Sequence, residues 1–228
     1  MGQFNRFLEV TVVVYSECCQ AEPIMHHPSN TDVVGFLPDE EGQQLFEWAR
    51  LAGKIGPLLE IGSYCGKSTI WLGRAAQEAG TVIYAIDHHR GSEEHQPGES
   101  YHDPELLDSA GRIDTFTAFR RNIEAAELED CVIPVVANSG AFARFWAGAL
   151  GMVFIDGGHS LNAALTDYRA WAPRIFPGGI LAIHDILPDP SAGGQAPFAI
   201  WQLAEQSGLF APIGNVGSLR GLKRIDFK

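Results

Sequence analysis

Two apolar runs end in acids beside histidines: Phe154-Ile155-Asp156-Gly157-Gly158-His159 and Ile183-His184-Asp185. Carboxylates and imidazoles can hold a divalent cation or move a proton, and a buried acid is costly unless it is paired or bound to a cation. A third run, Leu58-Leu59-Glu60-Ile61, opens into Gly62-Ser63-Tyr64-Cys65-Gly66-Lys67-Ser68-Thr69, and another ends in Asp87. Glycines in a strand-to-helix turn let backbone come close to a ligand, and the helix start presents N–H groups to an anion. An acid ending a strand, such as Asp87, can be a ligand's hydrogen-bond acceptor or simply a cap.

The elements that must position these residues follow from periodicity. Pro57 to Ile61, Thr81 to Asp87, Cys131 to Ala137, Met152 to Asp156 and Gly179 to Asp185 are short runs rich in Val, Ile and Leu, as expected of strands buried on both faces. Helices are predicted near Ser68 to Ala79, Ile113 to Ala126, Gly140 to Gly148, Ser160 to Ile175 and Phe198 to Gln206. Such alternation predicts an α/β fold, a Rossmann-like doubly wound sheet, mostly parallel, with Leu219 to Phe227 added as a final antiparallel edge strand. In that topology the strand ends carrying Gly62, Asp87, Asp156 and Asp185 open onto one crevice.

Ahead of the sheet, Asp39, Glu40 and Glu41 form an acidic first turn after Pro38, followed by Leu45, Phe46, Trp48, Ala49, Leu51 and Ala52 at helical spacing, ending at Gly53 and Gly56. The chain from 38 to 228 reads as one domain, and residues 1–37 as an extension whose function is unreadable. His88 to Arg112 breaks the rhythm with six carboxylates, four histidines and few apolar residues. A structureless stretch of that length is a lid over the crevice or a solvated excursion.

Sixteen Lys and Arg against 28 Asp and Glu leave a net charge of −12, which gives no support to a general nucleic-acid surface or a polybasic membrane face. No run approaches the ~20 apolar residues of a spanning helix, and no signal peptide is evident. Cys18, Cys19, Cys65 and Cys131 lack C-x-x-C spacing, so reduced thiols and a cytoplasmic location are expected. No Gly-x-Ser-x-Gly elbow of the α/β-hydrolase kind occurs.

Three readings compete for the glycine loop. A dinucleotide fingerprint would need glycine where Tyr64 stands, and a phosphate-binding P-loop would need four residues between its glycines, whereas Gly62 and Gly66 enclose three. The P-loop reading still has Lys67-Ser68 and the strand ending in Asp156 in its favour. The third reading accommodates every position. Glu60, Gly62 and Gly66 form a Glu-x-Gly-x-x-x-Gly signature, and from about Pro38 onward the chain resembles the class I S-adenosylmethionine-dependent methyltransferases.

The resemblance implies that the loop Gly62, Ser63, Tyr64, Gly66, Lys67 and Ser68 cradles the methionine part of the cofactor. Ser68 and the helix-start amides would hold its carboxylate, and Glu60 would orient its amino end. Asp87, 21 residues after Gly66, would accept the ribose hydroxyls, Asn138 and Ser139 would line the adenine, and Asp156 would border the same pocket.

The run Asp156-Gly157-Gly158-His159-Ser160, then Pro177-Gly178-Gly179 and His184-Asp185, is similar to the metal-dependent O-methyltransferase branch, several members of which act on sugars. The resemblance implies magnesium, or manganese, at Asp156, His184 and Asp185. Histidine stands at 184 where relatives carry an acid, and imidazole suits magnesium poorly, so His184 is either a ligand or a base. Successive residues of a regular strand point to opposite faces, so His184 and Asp185 can meet one ion only where the strand has frayed, which favours Asp156 and Asp185 as the ligands. His159 or His184 would take the proton of the acceptor hydroxyl, with Asp156 as a further catalytic candidate. Each histidine also has a plain structural reading, His184 satisfied against a neighbouring helix and His159 in a helix-start hydrogen bond. The expected acceptor is a small molecule or oligosaccharide, and relatives are often homodimers.

Overall fold

The five apolar runs become five parallel strands, and two further antiparallel strands complete the sheet. The computed structural model describes residues 33–99, 101–158, 160–191 and 193–226, so His159, Cys18, Cys19 and residues 1–32 of the N-terminal segment lie outside the described residues. The strands are β1 (Leu58–Ile61), β2 (Ile83–Asp87), β3 (Val132–Val136), β4 (Leu150–Ile155), β5 (Ile175–Ile183), β6 (Phe210–Val216) and β7 (Leu219–Arg224). Their order in the sheet is β3-β2-β1-β4-β5-β7-β6, with β7 antiparallel to both β5 and β6. The fold is thus the Rossmann-like α/β architecture, and its order reverses between β1 and β4, the position at which such sheets take ligands.

The helices are α1 (Asp39–Gly53), α2 (Lys67–Ala79), α3 (Phe116–Ala125), α4 (Ser139–Ala143), α5 (Leu161–Trp171) and α6 (Ala196–Gln206). Strand pleating divides the core into two layers. Leu58, Met152, Phe154, Ile180 and Ala182 face α1 and α2, whereas Leu59, Ile61, Val153, Ile155, Leu181 and Ile183 face α5 and α6. Burying a side chain such as Phe154, 0% exposed, contributes about 1.5–3 kcal/mol. Leu37, 2% exposed, packs into the first layer with α1, so core packing already begins just ahead of Pro38.

Two expectations need correction at the C-terminus. Leu219–Arg224 is antiparallel but interior, and the edge belongs to β6. Pro212 and Gly214 interrupt the β6 sequence like loop residues, and an edge strand is where they are tolerated because one side of its ladder is unpaired. The segment after β2 is also not structureless: it carries 3₁₀ turns at Glu93–His95 and Pro104–Leu106 and an antiparallel bridge between Leu107 and Ile113. Because Ile113 joins that bridge, α3 starts at Phe116, later than the periodicity suggests. The helix expected over Gly140 to Gly148 is a single short one, Ser139–Ala143.

Candidate functional site

The glycine loop is shaped first by the backbone beside it. Gly62 has φ +90°, and a Cβ there would lie 2.1 Å from the Asp156 carbonyl oxygen. The β1 and β4 exits are therefore in backbone contact, stitched by Asp156 N–H to Ile61 O (2.9 Å), while Gly62 N–H donates to Ile86 O of β2 (3.0 Å). Gly66, φ +93°, is the N-cap of α2 and has no side chain to cap that helix start, the kind of place where an anion can bind. Tyr64 occupies the position where a dinucleotide loop would have glycine, and it adopts a left-handed conformation (φ +45°) nonetheless. Its N–H donates to Asp87 Oδ2 at 2.9 Å, which helps to hold that conformation.

Glu60 lies beneath the loop, 0% exposed, on the face that β1 turns toward α2. Ser68 Oγ donates to its Oε1 (2.6 Å) and Thr69 Oγ1 to its Oε2 (2.5 Å). Burial pushes the Glu60 carboxyl up to about 8 despite these two bonds. Ser68 Oγ therefore points down to Glu60, and Glu60 braces the start of α2. Lys67 sits on the first turn, with its stem so close to Gly35 that a Cβ added there would lie 2.8 Å from the Lys67 Cβ.

Asp87 is held by two amides, Tyr64 N–H on Oδ2 and His89 N–H on Oδ1 (2.7 Å). Each oxygen keeps a lone pair, so the carboxylate is fixed and can still accept a diol. His89, given no site role from the sequence, is 2% exposed with φ +56°. Its Nδ1 lies 2.7 Å from Thr115 Oγ1 and its carbonyl accepts from Thr115 N–H (3.3 Å), closing the neck of the 88–112 insertion. The insertion is further tied by Arg90 to Asp108 Oδ2 (3.1 Å) and to the Ile113 carbonyl (2.9 Å). Its His95 and Tyr101 rings lie 4.9 Å from those of Tyr64 and Phe36 respectively, which lays the insertion against the glycine loop.

Asn138 and Ser139 follow β3. Asn138 caps α4, its Oδ1 accepting from Ala141 N–H at 3.0 Å. Ser139 Oγ donates to Asp167 Oδ1 on α5, and burial raises the Asp167 carboxyl to about 6. A Cβ on Gly157 would lie 3.2 Å from the other Asp167 oxygen, so this acid supports the β4 exit from below.

The acid and imidazole cluster forms at the exits of β4 and β5. Asp156 and His184 continue the pleat of Phe154 and Ala182 and so fall on the α1 side. Strand β5 ends at Ile183, and Asp185 takes φ +56°, which turns its side chain back toward its neighbours. That turn is the fray the pleating argument requires. The ligand atoms of Asp156, His184 and Asp185 all lie within 4.8 Å of one another. His184, 4% exposed, has its Nδ1 3.0 Å from Asp156 Oδ1 and 3.4 Å from Asp185 Oδ1, and its Nε2 2.5 Å from Glu41 Oε2. Burial disfavours the imidazolium, but the surrounding carboxylates outweigh it and raise the His184 pKa to about 12. A proton on Nδ1 thus holds together the groups that a cation would hold.

Glu41 was legible in the sequence only as a first-turn acid. It is also buried, and its Oε1 accepts from Ser218 N–H (2.6 Å) in the turn between β6 and β7. A Cβ on Gly217 (φ +50°) would lie 2.0 Å from that oxygen. Burial pushes the Glu41 carboxyl up, but the bonds from His184 and Ser218 leave it below its ordinary value.

The described cysteines, Cys65 and Cys131, are buried free thiols, and burial lifts Cys65 to about 12, far from a reactive thiolate. Among the described residues no helix is long and apolar enough to cross a membrane.

A family model described as a methyltransferase domain matches residues 59–186, more than half of the chain. Among solved structures, the chain is similar to an O-methyltransferase from Bacillus cereus in complex with SAH, at 17% identity and a TM-score of 0.57 over 83% of each chain. It is similar to the O-methyltransferase TomG from Streptomyces achromogenes, involved in tomaymycin synthesis and in complex with SAM, at 16% identity and a TM-score of 0.58 over 84% of this chain and 82% of that one. Cofactor-bound Rv0187 from MTB matches at 21% identity and a TM-score of 0.56, over 86% of this chain and 85% of that one. At these identities the structural likeness speaks for the fold.

Proposed function

The chain belongs to the methyltransferase-domain family, and on that premise we propose that it transfers the methyl group of S-adenosylmethionine to a sugar hydroxyl with the help of a divalent cation. The observation that carries this reading is the continuity of the site. Asp87 is bonded to the loop at Tyr64, and Gly62 of that loop touches the backbone of Asp156. Asp156 in turn belongs to the cluster with His184 and Asp185. An acceptor suited to the ribose diol and a set of ligand atoms suited to a cation therefore adjoin one glycine turn.

Asp87 would accept the ribose hydroxyls, the start of α2 would take the cofactor carboxylate, and Asn138 and Ser139 would border the adenine. Asp156, His184 and Asp185 would hold the cation, magnesium or manganese; two carboxylates and one imidazole suit manganese at least as well. When bound there, the cation supplies Lewis acidity that favours ionisation of the acceptor hydroxyl. With Glu41 on Nε2, His184 suits a ligand's role better than a base's, which leaves His159 as the candidate to take the hydroxyl proton. The crevice then aligns oxygen, methyl carbon and sulfur.

The sugar assignment rests on the 88–112 insertion. Asp87-His88-His89-Arg90-Gly91-Ser92-Glu93-Glu94-His95 resembles the corresponding run of a methylmannose polysaccharide 1-O-methyltransferase, and the anomeric hydroxyl is the most acidic on a sugar. Phe36 and Tyr101, 55% and 49% exposed, offer ring faces of the kind that stack on the C–H face of a pyranose. Methyl transfer from labelled S-adenosylmethionine to mannosides, assayed with and without chelator, tests both parts. Transfer is expected to disappear in chelator and to return with magnesium or manganese. Undiminished transfer in chelator removes the cation, and transfer only to non-sugar hydroxyls removes the sugar.

A further inference from the structure

The imidazole that faces Asp156 and Asp185 is held from behind by a helix that begins 20 residues before the matched family region. Glu41 Oε2 is 2.5 Å from His184 Nε2, a contact spanning 143 positions of chain, between residues 4–5% exposed. The other Glu41 oxygen is fixed independently by Ser218 N–H at 2.6 Å and by the Ser218 hydroxyl at 3.3 Å. Gly217 leaves room for this carboxylate, since a Cβ there would overlap Oε1. The turn is anchored to the same site from the other side, because Ile186 N–H donates to the Ser218 carbonyl at 3.0 Å, directly after Asp185.

A ring nitrogen facing a buried carboxylate keeps its proton, and the opposite nitrogen is then the one with a lone pair to give once a cation displaces its own proton. We infer that Glu41 is a positioning residue: by taking the Nε2–H of His184 it fixes the ring plane and commits Nδ1 to the cation set with Asp156 and Asp185. This rests on the cation reading above, and assigns a role to a residue outside the matched family region. Histidine at position 184 and glutamate at position 41 form one unit, in which the acid that relatives present directly is set one imidazole further back.

Glutamine at 41 keeps the shape but has one acceptor oxygen for two donors, Ser218 N–H and His184 Nε2–H, so one bond must fail. Manganese binding to the SAH-loaded protein, read by electron paramagnetic resonance, is expected to weaken 10–100-fold in Glu41→Gln, with SAH affinity changed less than twofold. In an His184→Asn background the same substitution is expected to change manganese affinity by less than twofold, because its effect passes through the imidazole. A merely structural acid would weaken both backgrounds alike. Should Glu41→Gln fail to fold, imidazole ¹⁵N spectra of the magnesium-loaded wild type give the answer, with Nε2 protonated and Nδ1 not. Equal manganese affinity in Glu41→Gln and wild type, or a magnesium-loaded ring protonated at Nδ1, overturns the role of Glu41 while leaving the cation in place. A wild type that binds no manganese overturns the cation reading and this role together.

Discussion

Buried acids are handled in two ways in the two halves of this site. On the cofactor side, Glu60 and Asp167 are surrounded by hydroxyls, those of Ser68 and Thr69 and that of Ser139, and burial raises their carboxyls to about 8 and about 6. Beside Asp156, His184 and Asp185, where we propose the cation, Glu41 is also buried but faces an imidazole, and its carboxyl stays below the ordinary value. Neutral hydroxyls replace only part of the hydration a carboxylate loses, whereas an imidazolium replaces it with opposite charge. The first arrangement suits a support for backbone. The second concentrates charge beside the three side chains proposed to hold a cation.

The sharpest way to break the contrast is to separate the halves at their join. Gly62→Ala combines a left-handed φ with a Cβ driven into the Asp156 carbonyl, and is expected to destabilise the fold by roughly 3 kcal/mol or more in urea unfolding and to abolish SAH binding. Next in size, Asp87→Ala removes the acceptor of two amides and, on the proposed reading, of the ribose diol. Calorimetry is expected to show SAH affinity reduced about 10²-fold, with manganese affinity unchanged.

The pH dependence of Asp167 sharpens the comparison. Its folded-state pKa is raised, so folding favours the protonated acid. The stability it contributes is present below the unfolded carboxyl value near 4 and lost as pH rises to about 6. For this 5%-exposed residue the loss amounts to roughly 2–3 kcal/mol. Asp167→Asn is expected to flatten the wild-type decline between pH 4 and 6, as read from unfolding midpoints. An unchanged slope would show that another group carries it. The smallest effect is expected at Lys67, whose replacement by alanine should alter SAH affinity less than about twofold. A loss of nucleotide binding confined to that variant would instead revive the P-loop reading.

The cofactor half was the more legible in sequence because its residues are contiguous or at short fixed spacing: Glu60, Gly62 and Gly66 define the turn, and Asp87 ends the next strand. Residue type and spacing do not show where a hydroxyl points, which is why Ser68 was expected on the cofactor and is found on Glu60. In the other half, Asp156, His184 and Asp185 stood out as strand-end acids and histidine. What brings His184 and Asp185 together is one left-handed torsion at Asp185, a conformation aspartate adopts more readily than most residues. Glu41 could be read only as a favourable charge at a helix start, since its partners at 184 and 218 depend on how α1 lies over the sheet. Likewise β6 was hidden by Pro212 and Gly214, and the order within the 88–112 insertion arises from pairings such as Leu107 with Ile113 that no local period announces.

The backbone contact between Gly62 and Asp156 has a mechanical consequence. Neither loop can drift without pressing on the other, so on the proposed reading the seats of the sulfonium carbon and of the attacking oxygen would be indexed to each other by main chain. Thermal swings of individual side chains would then leave the proposed in-line approach largely undisturbed.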